Sequence, residues 1–170
     1  MKLLLHACCG PCSLEPVRIL AEAGHDITIA YLNSNIAPAS EYEHRLKTLL
    51  EWAKSQNIPV IEGPYEPATW QNAVKQTWDG TQENRADRCR ACYRIRLEEL
   101  ARYAHEHGFE GIGTTLTVSP YQYTDIINEE LERAAAPYEG LSAVFQDFRE
   151  FYPQATIRSR EPVSYTHLTL

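Results

Sequence analysis

The sequence has no apolar run approaching the roughly 20 residues that a membrane helix requires. Its opening, MKLLLHA, offers three leucines before a histidine and a cysteine pair, which is too short an apolar core for a secretory leader. Positive charge is scarce: 16 Lys and Arg stand against 23 Asp and Glu, for a net charge of −7. That balance argues against a uniformly basic, nucleic-acid-coating surface. Internal repeats and low-complexity linkers are missing as well. The 170 residues are therefore expected to form one domain with a sizeable core. Nor is there an even, dispersed set of cysteines. The five present fall into two tight groups, Cys8, Cys9 and Cys12, then Cys89 and Cys92. A secreted disulfide framework is disfavoured, and reduced thiols kept for metal or redox work in the cytoplasm are expected.

What is present is locally organised. Residues 2–7, 27–33, 59–62 and 112–117 read as short buried strands. Between them run helical stripes. In 40–56 the stripe is Tyr42, Leu46, Leu49, Leu50 and Ala53, and in 91–106 it is Tyr93, Leu97, Leu100, Ala101 and Ala104. A third, in 122–135, carries Ile127, Leu131 and Ala134. Gly24, Asn57 and Gly108 each sit where a helix should end in a left-handed cap before the next strand. Strand, helix, loop, strand is the βαβ pattern. It predicts a single-domain, Rossmann-like α/β sandwich of three layers, with a mainly parallel sheet and helices on both faces.

In such sheets ligands sit beyond the carboxyl ends of the strands. The segment HACCGPC (6–12) leaves the first strand, NSNIAP (33–38) the second, and TVSPYQY (117–123) the fourth. DRCRACYRIR (87–96) opens the helix leading back to that fourth strand. Four thiol-bearing or polar segments are thus predicted to converge on one edge.

The tetrad Cys9-Gly10-Pro11-Cys12 matches the thioredoxin dithiol, but C-x-x-C alone is a weak signal. Here it follows the first strand, Cys8 stands where thioredoxins carry Trp, and a second cysteine pair would have no purpose. A structural zinc is the plain alternative. Zinc ribbons, however, bring their pairs within about 15–20 residues, far closer than Cys12 and Cys89, and would leave a fifth thiol over. Five thiols at a ligand edge fit an iron–sulfur cluster with an open or extra metal position better. An ATP-dependent modifying enzyme would want a glycine-rich phosphate cradle after the first strand. CCGPCS has one glycine and a proline that removes a backbone donor.

Six of the arginines lie between Arg85 and Arg102: Arg85, Arg88, Arg90, Arg94, Arg96 and Arg102. Such a patch can offset an anionic all-thiolate cluster and receive phosphates. The simpler reading is a solvated helix face that pairs with Glu98, Glu99 and Glu106. Other candidates also carry plain readings. His6 suits a hydrogen-bonded core position, Tyr93 and Trp52 suit helical stripes, and Asn33 and Asn35 suit loop turns. Thr114 and Thr115 suit a strand, and Ser119 with Pro120 and Tyr121 suits a helix cap.

Four segments together closely resemble the QueH family of epoxyqueuosine reductases: LLLHACCGPCSLEPVRIL, YLNSNIAPASEYEHRL, RCRACYRIRLEELARYA and GIGTTLTVSPYQYTDIINEEL. The resemblance extends to about Glu161. It implies reduction of epoxyqueuosine to queuosine at the wobble position of a tRNA anticodon loop, without cobalamin. The implied cofactors are a [4Fe–4S] cluster and an additional mononuclear iron. Cys8, Cys9, Cys89 and Cys92 match metal-ligand positions of the family. Cys12 belongs to the set where some relatives have Asp, and a disulfide between ligand cysteines is expected in the metal-free form. An external one-electron donor such as ferredoxin or flavodoxin is implied. On this reading Tyr121 and Asp125 are proton-donor candidates beside water. Substrate and tRNA binding are expected from Tyr31, Asn33, Asn35, Arg88, Arg90, Tyr93, Arg96, Thr114, Thr115 and Ser119, with Tyr31 or Tyr121 stacking on the splayed base.

One segment departs from the family. After Arg160-Glu161 the family continues through a YRQNYCGC-like motif, whereas this chain reads PVSYTHLTL. The expected organisation is therefore an iron–sulfur reductase domain over 1–161 and an atypical tail over 162–170, truncated or misread and poorly packed. A chain lacking those two thiolates is expected to fold and to hold a cluster, yet to reduce epoxyqueuosine poorly.

Overall fold

The computed structural model describes residues 1–76, 79–81 and 83–158. The expected tail, 162–170, lies outside them. In chain order the elements are β1 (Lys2–His6), α1 (Pro11–Glu22), β2 (Asp26–Tyr31), α2 (Ala39–Ser55), β3 (Val60–Glu62) and α3 (Pro67–Lys75). They continue with α4 (Arg85–Glu106), β4 (Gly111–Thr114), α5 (Thr124–Ala135), β5 (Ser142–Ala143) and α6 (Tyr152–Arg158). The strands pair in parallel in the order β3-β2-β1-β4-β5, with Leu3 opposite Ile27 on one side and Gly111 on the other.

The two-residue period of a strand sends alternate side chains to opposite faces. Leu3, Leu5, Ile27, Ile29 and Tyr31 pack with Val17, Leu20, Leu46, Leu49 and Ala155, so α1, α2 and α6 cover one face. Leu4, Ala30, Leu32 and Ile112 pack with Leu97, Leu100, Ile127 and Leu131, so α4 and α5 cover the other. This is the three-layer α/β sandwich that the sequence predicts. Because β1 is central and buried on both faces, its apolar run Leu3-Leu4-Leu5 has no solvent-facing member.

The helix ends follow their punctuation. Gly24 (φ +96°), Asn57 (φ +56°) and Gly108 (φ +73°) occupy the left-handed region expected of them. Three expected boundaries shift. The fourth strand stops at Thr114 rather than residue 117, because the Thr114 hydroxyl accepts the Leu116 amide at 3.2 Å and starts a 3-10 turn over Leu116–Val118. The second strand stops at Tyr31, and beyond it the side chain of Asn33, rather than its backbone, bonds the Ala7 carbonyl at 2.9 Å. Helix α4 begins at Arg85, six residues before the expected start at 91, so both Cys89 and Cys92 lie within the helix on one face.

Candidate functional site

The carboxyl ends of β1, β2 and β4 carry a buried polar chain. His6 is fully buried and makes three hydrogen-bond contacts. Its neighbours fix the tautomer. Nε2 faces two acceptors, the Leu32 carbonyl at 3.3 Å and Asn33 Oδ1 at 3.1 Å, so it carries the hydrogen. Nδ1 then accepts from the Thr114 hydroxyl at 3.1 Å. Burial, aided by the positive charge of Arg96, pushes the His6 pKa down to about 3, so the ring is neutral.

Asn33 extends the chain in two directions. Its Oδ1 accepts from Arg96 Nη2 at 2.8 Å, and its Nδ2 donates to the Ala7 carbonyl at 2.9 Å. Ala7 adjoins Cys8, and Arg96 Nη1 reaches Cys92 Sγ at 3.7 Å. The two cysteine groups, far apart in the chain, are thus joined through one amide and one guanidinium. Arg96 is only 6% exposed.

The groups differ in character. Cys8, Cys9 and Cys12 are partly exposed at the β1–α1 junction, where Ser13 Oγ donates to the Cys9 carbonyl at 2.6 Å and shapes the loop. Hydrogen bonds from Cys12 and Cys9 hold the Cys8 thiol well below its ordinary range, with help from Arg96 and against burial. Bonds to Cys12 and Cys8, with burial, push Cys9 well above its ordinary range, while the bond to Cys8 and burial push Cys12 up to about 12 against the bond to Cys9. Cys89 and Cys92 are buried, at 7% and 8% exposure. Trp70 Nε1 on α3 donates to Cys92 Sγ at 3.1 Å.

Among the described residues, no three His, Cys, Asp or Glu side chains form a ready-made metal-ligand set. The donor chemistry nevertheless fits a thiolate-bound centre. All five thiols are free, and cations face both groups: Arg96, and Arg45 on α2, whose charge acts on Cys8 and Cys9. Buried polar atoms at this edge, namely Arg96 Nε, Thr115 Oγ1 and Asn35 Oδ1, also lack a hydrogen-bond partner among the described residues. Such atoms are costly unless a bound group or water satisfies them.

The remaining expected residues divide. Tyr93 is buried, its hydroxyl donating to Gln122 Oε1 and accepting the Tyr123 amide at 3.2 Å. Burial pushes its pKa up to about 12. Tyr31 is fully buried in the core, with its hydroxyl donated to the Tyr42 carbonyl at 3.0 Å, which leaves no ring face for a nucleobase. Tyr121 is 70% exposed and meets Tyr152 edge-on at 6.0 Å. Ser119 Oγ accepts the Tyr121 amide at 3.2 Å, a cap-like turn. Asp125, in the first turn of α5, is exposed and has the charge of Arg149 nearby.

Among the arginines, Arg88 lies over the Trp70 ring at 5.7 Å. Arg90 instead holds Glu129 at 2.6 Å and Glu130 at 2.9 Å, and Arg94 holds Glu130 at 2.9 Å. Sequence reasoning missed Arg45, Trp70 and Glu130. None carries a local signal, since each meets its partner only through tertiary packing.

Comparison with known proteins matches residues 3–167 to the family model described as epoxyqueuosine reductase QueH. Proteins named epoxyqueuosine reductase QueH are among the relatives. The Histophilus somni protein is 36% identical over 147 residues, which is 86% of this chain and 59% of that one. The Haemophilus influenzae protein is 37% identical over 139 residues, covering 81% of this chain and 56% of its own length. That of Thermotoga maritima is 31% identical over 150 residues, 86% of this chain and 74% of its own. The chain thus spans somewhat over half the length of the first two.

Proposed function

Because this chain belongs to the epoxyqueuosine reductase QueH family, we propose that it reduces epoxyqueuosine to queuosine at the wobble position of tRNA. The observation that carries this reading is the joining of two cysteine groups by Asn33 and Arg96 at the carboxyl edge of the sheet. The overall change is balanced by two electrons and two protons. Both C–O bonds of the epoxide break, an alkene forms, and the oxygen leaves as water.

Cys8, Cys9, Cys12, Cys89 and Cys92 would hold a [4Fe–4S] cluster and an additional iron. When bound, these supply electrons one at a time and a Lewis-acid position for the epoxide oxygen, with no need of cobalamin. The electrons come from an external one-electron donor of the ferredoxin or flavodoxin kind. Arg96 and Arg45 offset the negative charge of the thiolates. The neutral His6 adds no cation of its own and fixes Asn33 and Thr114 in place.

Exposed Tyr121 is the stacking surface for a splayed base, and Arg88, beside Trp70, meets a phosphate of the anticodon loop. Tyr121 and Asp125 are the side chains suited to pass a proton to the departing oxygen. Among the described residues no helix is long and apolar enough to cross a membrane, in keeping with a tRNA substrate in the cytoplasm.

The test is anaerobic reconstitution with iron and sulfide, followed by incubation with epoxyqueuosine-bearing tRNA and a chemical reductant. Queuosine in the digested tRNA is the expected product, at low yield because PVSYTHLTL stands where the family motif carries two further cysteines. Cys89→Ser and Cys92→Ser should each abolish retention of iron and sulfide. Wild-type metal content in both variants would remove the ligand assignment, and a zinc-only, colourless protein would remove the reductase reading.

A further inference from the structure

Asn33 is 1% exposed and uses both ends of its amide. Its orientation is set by its neighbours. Arg96 offers only donors and so requires Oδ1, while the Ala7 carbonyl offers only an acceptor and so requires Nδ2. The same Oδ1 also takes the His6 Nε2 hydrogen at 3.1 Å, which fills both of its lone pairs. One side chain at the end of β2 thereby fixes the backbone next to Cys8 and the guanidinium that reaches Cys92 Sγ.

The chemical identity of the group matters as much as its position. An aspartate is the same size and would hold Arg96 more tightly. It would, however, set an oxygen against the Ala7 carbonyl and neutralise the guanidinium, spending on a carboxylate the charge that now faces sulfur. An amide anchors the cation without neutralising it. Arg96 Nε, buried and unpartnered, shows that the guanidinium has donor capacity left beyond Asn33 and Cys92.

Resting on the metal-centre reading above, we propose that Asn33 is a positioning residue: its neutral amide holds Arg96 between the two cysteine groups and leaves the guanidinium charge to the bound iron–sulfur centre. The centre is anionic, so a nearby uncompensated cation favours the reduced, more negative state and raises the reduction potential. Asn33 sets that contribution from outside the ligand set.

The experiment compares wild type with Asn33→Asp, Arg96→Gln and the double variant, all reconstituted anaerobically with iron and sulfide. It reads iron and sulfide content, the rate of iron loss to a chelator, the midpoint potential by optical redox titration, and the thermal melt. Asn33→Asp should fold, lose iron several-fold faster than wild type, and titrate at a more negative potential. Arg96→Gln should shift both readouts in the same direction. The double variant should shift the potential further than either single, because it sets the new carboxylate at the centre with no guanidinium to pair it, a change of two charges rather than one. A merely structural Asn33 would lower the melting temperature and leave the potential where it was.

Wild-type potential and release rate in Asn33→Asp, or a double variant shifted less than either single, overturn the inference while a loaded wild type keeps the reductase reading intact. Should Asn33→Asp fail to fold, Arg96→Gln decides alone, and wild-type behaviour there overturns it. A wild-type chain that takes up no iron overturns the reading of the site, and this inference with it.

Discussion

Arg94 and Arg96 stand two residues apart on α4, and a turn of about 100° per residue puts them on opposite faces of the helix. Arg94, with Arg90 one turn before it, leans on Glu130 of α5, whose side chain is completely buried while the arginines remain 40% and 31% exposed. Arg96 follows Cys89 and Cys92 on the other face and is buried against an amide and a sulfur. The first arrangement is a closed ion pair. Cation and carboxylate neutralise one another, and the product is adhesion between two helices. In the second, no carboxylate among the described residues lies within ion-pair distance, and the guanidinium charge faces an amide and a sulfur. Identical side chains on one helix thus divide into a structural set and a site set, and the deciding variable is the charge of the partner.

The sharpest way to break this division is to remove the structural set. Among the described residues, Arg90→Ala with Arg94→Ala leaves buried Glu130 with Arg133, at 3.5 Å, to compensate it. We expect a loss of about 3 kcal/mol by denaturant unfolding, the low end for a broken buried pair because the arginines are partly solvated. Metal content of the folded fraction should be unchanged. Loss of metal by this variant in its folded form would merge the two sets and end the comparison.

Glu130→Gln is the gentler probe. Burial raises the Glu130 pKa, but hydrogen bonds from Arg94 and Arg90 outweigh it and hold the carboxyl below its ordinary range. A depressed folded pKa contributes stability that is present above the unfolded value, about pH 4.3, and lost as pH falls through the folded value. Wild type should therefore lose stability on acidification below about pH 4.3 more steeply than Glu130→Gln, by up to one proton in the slope. At neutral pH the variant should be weaker by about 1–2 kcal/mol. Parallel acid limbs for the two proteins would mean that the carboxyl does not carry the pair.

The smallest effect concerns Arg88, which lies over the Trp70 ring. Arg88→Ala should reduce the salt dependence of tRNA binding by about one unit of slope or slightly less. Arg90→Ala, whose guanidinium already holds two carboxylates, should change that slope less. The reverse order would assign the phosphate contact to Arg90.

The architecture was readable because its signals are local. Leu3-Leu4-Leu5 announced a doubly buried strand, the stripe from Tyr93 to Ala104 announced α4, and Gly24, Asn57 and Gly108 marked the turns. The short α3 and β5 escaped notice. Nine residues with one buried member, Val74, and a two-residue strand carry too little periodicity. In the site, Cys8, Cys9, Cys12 and Asn33 could be named from their place after strands, and Cys89 and Cys92 from the opening of the helix that leads back to β4. Their roles could not be divided, because the dividing partners are distant in sequence: Glu130 lies 40 residues from Arg90, and Asn33 lies 63 from Arg96. The same limit hid the fate of Tyr31. It leaves its strand like a site residue, yet the two-residue alternation turns it into the α1–α2 layer.

The contact between Trp70 and Cys92 has a practical consequence. An indole whose N–H rests on sulfur at 3.1 Å is an emitter in touch with a candidate ligand atom. Its fluorescence yield follows the electron density on that sulfur and any energy acceptor seated there. The protein thus contains an unlabelled optical gauge of its own site, on a helix that touches Cys92 without contributing a cysteine. Stopped-flow emission can therefore time the filling and emptying of the centre with no dye attached and no tRNA added.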